Sequence, residues 1–100
     1  MAKGYIVGMI TIDDLEAYKP YMAQTSALVE EYGGRYLIRG GEMSVAEGAL
    51  PHDRFVVIEF DSPEVVAKFY NDPRYVETRK IRQDNSTGTI LHISGYEGSS

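Results

Sequence analysis

Tyr75, Arg79 and Arg82 stand at i, i+4 and i+7, the spacing that puts three side chains on one stripe of a helix. An aromatic ring beside two guanidinium groups is a candidate anion clamp, because arginine keeps its charge and offers forked donors to a carboxylate or an enolate. The competing reading is a structural ion pair, with Glu59 near the end of a strand or Asp13 at the start of a helix as the partner. Both roles can coexist, since a carboxylate can hold a ligand-binding arginine in place. Arg39, beside Gly40 and Gly41, adds a third guanidinium if its side chain turns toward the helices; otherwise it is a solvated edge residue. His92 is the strongest candidate general base, its ordinary pKa lying near neutrality. The competing reading is a histidine merely hydrogen-bonded in the structure. Asp13 and Glu59 are the other candidates for moving a proton. Of the eight tyrosines, Tyr5, Tyr18, Tyr21, Tyr32, Tyr36, Tyr70 and Tyr75 fall on core or pocket faces, and Tyr18 joins the candidate ligand contacts. Aromatic core is the default reading, but a wall of phenols also suits a flat, partly polar ligand, aromatic or polyketide-like.

Other chemistries are disfavoured. Cysteine is absent, which removes thiolate nucleophiles, thiolate metal sites and disulfides and agrees with a cytoplasmic location. Neither His52, read as a surface residue, nor His92 has a partner at metal-ligand spacing, so no metal is expected. Neither glycine pair leads into a helix with Lys-Ser or Lys-Thr, so no phosphate loop is expected, and no cofactor is assigned. The net charge of -5 argues against nucleic acid. The apolar runs are far short of the ~20 residues that span a bilayer, and no secretory signal is visible.

These side chains need a scaffold, and 100 residues suffice for one domain. Residues 3–12 read as a strand apolar on both faces, Tyr5, Val7 and Met9 against Ile6, Ile10 and Ile12. Asp13 is then the expected N-cap of a helix reaching Tyr32, with Glu16 completing an acidic capping box. Leu15, Tyr18, Met22, Val29 and Tyr32 make its apolar face, and Pro20 predicts a kink or a restart near residue 19. The glycine pair at 33 and 34 stops that helix. Residues 35–39 form a strand with Tyr36 and Ile38 on one face and Arg35, Leu37 and Arg39 on the other, and residues 43–47 can continue the ribbon beyond a bend at Gly40. Residues 54–60 are the clearest strand. Ser62 with Pro63 and Asp72 with Pro73 then start two helical pieces, the second running to about Asp84. A polar turn over 85–88 leads to a last strand over 89–94.

The order β-α-β-β-α-β, with the second helix broken, is ferredoxin-like α+β: an antiparallel sheet with both helices on one face. Residues 1–96 are expected to form this single domain and 97–100 a flexible tail. Strands apolar on both sides leave the far face in need of cover, which a two-fold homodimer through the sheet face supplies most simply.

Four groups of residues resemble the bacterial family labelled domain of unknown function 1330. They are Lys3-Gly4-Tyr5; Asp14-Leu15-Glu16-Ala17-Tyr18 with Tyr21; Tyr32-Gly33-Gly34-Arg35 with Arg39-Gly40-Gly41; and Val57-Ile58-Glu59-Phe60 followed by Tyr75, Arg79 and Arg82. The resemblance covers nearly the whole chain, Pro20 being the departure. It implies a dimeric α+β barrel, the superfamily that holds cofactor-free monooxygenases, muconolactone-isomerase-like enzymes and stress-response proteins, and it carries no reaction of its own. Two functions stay open: a homodimer binding a small anionic or enolisable molecule, as a cofactor-free enzyme, or a non-catalytic binding or stress-response module.

Overall fold

The computed structural model describes residues 2–97; the expected tail lies, from residue 98 on, outside them. Among the described residues the order is β1 (Gly4–Ile12), α1 (Leu15–Glu31), β2 (Arg35–Arg39), β3 (Arg54–Phe60), α2 (Pro63–Tyr70), α3 (Pro73–Asn85) and β4 (Ser86–Ser94). The strands pair antiparallel in the order β2-β3-β1-β4. This is the ferredoxin-like α+β topology read from the sequence.

Strand pleating sorts the side chains. Across β1 and β3, Ile6 stands opposite Ile58 and Ile10 opposite Arg54, and this row faces the helices. Ile6, Ile58 and Phe60 from the sheet are buried with Leu28, Val29, Val66, Phe69 and Tyr75 from the helices. Phe69 is completely inaccessible, with ring centroids 5.2 Å from Phe60 and 4.5 Å from Tyr75. The alternate row, Val7 opposite Val57 and Leu91, lines the face that no helix covers.

Several local expectations change. The N-cap of α1 is Asp14 rather than Asp13: the Asp14 carboxylate accepts from the backbone N–H of Ala17 at 3.1 Å, while the Asp13 N–H donates to the Asn85 carbonyl at 2.8 Å. One helix therefore starts a residue late and no capping box forms. Pro20 lies inside an unbroken α1, with no restart near residue 19. Pro20 and Glu16 are both exposed, so water can satisfy the Glu16 carbonyl that the proline ring leaves without a donor. Leu15 is 52% exposed and does not belong to the buried face. No strand forms over 43–47; residues 40–53 are a loop. The expected turn over 85–88 is absent, because α3 passes straight into β4 at Ser86. His52 is half-buried, its Nδ1 2.9 Å from the Thr11 hydroxyl.

The register change that matters most lies in β2. Arg35 and Tyr36 pair with Glu59 and Ile58, but Ile38 and Arg39 pair with Val57 and Val56. A bulge at Leu37 therefore shifts the alternation by one. Arg39 joins Tyr36 on the helix side, and Ile38 moves to the open face.

Candidate functional site

The inner face of the sheet and α1 do not close completely. Tyr18, Tyr21, Met22 and Thr25 recur at i, i+3, i+4 and i+7 along α1 and form one wall of a cleft; Tyr36, Arg39, Arg54, Val56 and Ile58 form the floor, and Phe69 and Tyr75 the end. Gly8 keeps the floor low, since a Cβ there would lie 3.3 Å from Ile90 Cδ1. The cleft encloses about 510 Å³ up to its mouth, but only about 40 Å³ admits the centre of a water-sized sphere. The smaller volume governs what fits: the equivalent of a few waters, suited to a small ligand rather than a polycyclic one.

The polar groups on this cleft are phenols and guanidiniums. Arg39 lies 4.3 Å above the Tyr36 ring and its Nη2 donates weakly to the Met22 carbonyl at 3.5 Å. Arg54 Nη2 is 3.8 Å from Met22 Sδ, and Arg54 Nε is buried with no partner. Gly40 holds this corner: its φ of +67° is a left-handed conformation natural to glycine, and a side chain there would run into the Arg54 guanidinium. Among the described residues, neither Arg39 nor Arg54 is paired with a carboxylate. Two adjacent cations in a protein rich in acids, both leaning on Met22, thus lack a counter-charge. The hydroxyl of Thr25 is also buried without a partner. Burial pushes the Tyr18 phenol up to about 12 and raises Tyr36 and Tyr75 as well. These phenols keep their protons at neutral pH and act as donors.

The sequence candidates divide. Tyr18, Tyr75 and Arg39 line the cleft. Arg82 lies behind it, 8% exposed, with its guanidinium carbon 5.7 Å from the Tyr21 ring centre and its Nε without a partner. Burial disfavours its charge, but the Tyr21 and Tyr75 phenols more than offset this and raise its pKa. Arg79 is not brought to the cleft: it covers the Tyr70 ring at 4.2 Å and its Nη1 donates to the Tyr70 carbonyl at 3.0 Å. His92 packs edge-on against that same ring, centroids 4.7 Å apart, beside a groove next to α2. Burial lowers its pKa. Asp13 is exposed at the α1–α3 junction.

Glu59 is on the open face. There it accepts from Tyr5 Oη at 2.8 Å and from Arg35 Nε at 2.7 Å, and these two bonds hold its carboxyl below the usual range. It neutralises neither Arg79 nor Arg82. Sequence reasoning missed Arg54 and Thr25. Part of the signal for Arg54 was present: the alternation Arg54, Val56, Ile58, Phe60 puts it on one strand face with three apolar residues, but a strand apolar on both faces does not say which of them meets the helices. Among the described residues no cluster of three or more His, Asp or Glu is placed to hold a metal ion, and no helix is long and apolar enough to cross a membrane.

A four-stranded antiparallel sheet under three helices, with a small phenol-lined cleft between the layers, defines a ferredoxin-like α+β protein. The chain belongs to the family of the domain of unknown function DUF1330, whose model matches residues 3–96. No curated protein matches it. Several solved structures share the fold, among them the following three. A protein of unknown function from Rhodopseudomonas palustris is 20% identical, with a TM-score of 0.71 over 90% of this chain and 81% of that one. A dimeric ferredoxin-like protein of unknown function from Jannaschia sp. CCS1 is 13% identical, with a TM-score of 0.73 over 94% and 98%. SnoaB, a cofactor-independent oxygenase from Streptomyces nogalater, is 12% identical, with a TM-score of 0.69 over 99% and 98%.

Proposed function

We propose that this protein binds a small anionic or enolisable molecule in the cleft between α1 and the sheet, with Arg39 and Arg54 as its anion site. The observation that carries the reading is the pair of guanidiniums converging on Met22 without a carboxylate. Arg39 is exposed and Arg54 half-buried; two like charges side by side repel, and a bound anion would relieve that repulsion. Of the two forms such a protein can take, the cleft favours a binding or stress-response module over a cofactor-free enzyme of SnoaB's kind, because among the described residues no His, Asp or Glu lines it. A second copy covers the open face of the sheet, as the dimeric state of the Jannaschia protein and the exposed Leu91 and Ile93 support. The absence of cysteine fits a cytoplasmic setting.

Thermal-shift screening of small carboxylic acids tests the anion site. At millimolar concentration some acids should raise the melting temperature of the wild type, lose that effect in Arg54→Met and Arg39→Met, and keep it in Arg79→Met, whose parent residue covers Tyr70. A wild type that no acid stabilises ends this reading.

A further inference from the structure

We infer that the ligand class is a small oxo acid, its carboxylate bridging Arg39 and Arg54 and its carbonyl or enolate oxygen held by the hydroxyl pair of Tyr21 and Tyr75. This rests on the anion-site reading and narrows it. The two hydroxyls are 2.7 Å apart, and both residues line the cleft. Two phenols in that contact place one proton between their oxygens and have a second left over. Among the described residues each hydroxyl has the other as its side-chain partner. The left-over proton is a donor on the wall of the cleft, and a ligand oxygen that accepts it gains a hydrogen bond.

Arg82 supplies the reason for the pair to point into the cleft. Its buried guanidinium stands behind Tyr21 and among the described residues has no carboxylate partner. A fixed positive charge there turns the phenol protons away from itself and stabilises negative charge on any oxygen they hold. A plain carboxylate satisfies only the arginine end; an oxo acid satisfies both ends with one molecule. The roughly 40 Å³ of deep space limits that molecule to a few carbons. Arg82 is accordingly a positioning residue, acting through the phenols rather than on the ligand.

Calorimetric titration with acetoacetate and with butanoate, which lacks only the oxo group, tests this. In the wild type acetoacetate should bind about tenfold tighter or more, the usual effect of losing a bond to a buried donor. Tyr75→Phe, and Tyr21→Phe at a half-buried position, should each bring the ratio close to one. Arg82→Gln should lower the ratio and Arg82→Lys restore most of it, which a merely structural arginine would not do. Both acids binding equally to the wild type, or a ratio untouched in both phenol variants, overturns the oxo-acid inference and leaves the anion site standing. Binding of neither acid overturns both.

Discussion

Single residues show where charge is stabilised and where it is exposed to a penalty. Arg74 Nε donates to the Asp72 carboxylate at 3.1 Å and Nη1 to Glu31 at 3.0 Å, and Tyr32 donates to the same Asp72 at 2.7 Å. Arg74 and Tyr32 hold Asp72 well below its ordinary 3.8, and Arg74 holds Glu31 below 4.5. Because the folded values are depressed, this stability is present above the ordinary values and lost as the pH falls through the folded ones. Melting curves should therefore show Arg74→Met less stable than wild type at pH 7, with the gap closing as the pH drops below about 4; a gap independent of pH would refute the assignment. Arg54 is the opposite case. Its unpartnered Nε contributes nothing to folding, so Arg54→Met should keep or raise the melting temperature in the absence of ligand. A fall of several degrees would mean that the guanidinium has a structural partner.

At the scale of elements, the glycine pair after α1 does two separate jobs. Gly33 N–H donates to the Glu30 carbonyl and Gly34 N–H to the Val29 carbonyl at 3.0 and 2.8 Å, the crossed bonds of a Schellman ending. Gly33 has a φ of +72° and open space around it, whereas a Cβ on Gly34 would lie 2.6 Å from the Phe60 ring. Urea unfolding should show Gly33→Ala losing about 1 kcal/mol, backbone strain alone, and Gly34→Ala losing more, up to about 3 kcal/mol, because a core ring must move. Equal losses would contradict this division. The helix stop was readable from glycine chemistry, and so were the starts at Ser62-Pro63 and Asp72-Pro73, because these signals are local. The bulge at Leu37 was not. No residue of 35–39 marks it; it follows from pairing β2 against β3.

For the whole molecule, the decisive feature is a sheet with one face under helices and the other bare. Leu91 and Ile93 are 40% and 46% exposed there, next to Val7, Val57 and the Arg35–Glu59 pair. An apolar sheet face of this kind marks an interface, and a two-fold copy presents a matching surface. Sedimentation should give a dimer at micromolar concentration for wild type and a monomer for Leu91→Glu, in which the helix-facing side of β4 is untouched. A monomeric wild type would remove the dimer from the proposal. Acid binding by the Leu91→Glu monomer would show that the cleft is complete within one chain.

The sequence by itself determined the order of elements, the helix and strand types and the two-faced strands, since capping, glycine and proline chemistry and period-two patterning act over a few residues. It also determined which groups were available: arginines and phenols, with no thiol and few histidines. Only the tertiary structure decided which of them meet. Tyr75 and Arg82 share a buried face of α3, but Arg79 on the same stripe is captured by Tyr70. Glu59 is turned to the open face by strand alternation. Arg39 is turned inward by one bulged residue, and Arg54 joins it from a different strand. Such meetings depend on register and on the packing of elements distant in the chain, and no local pattern carries that information.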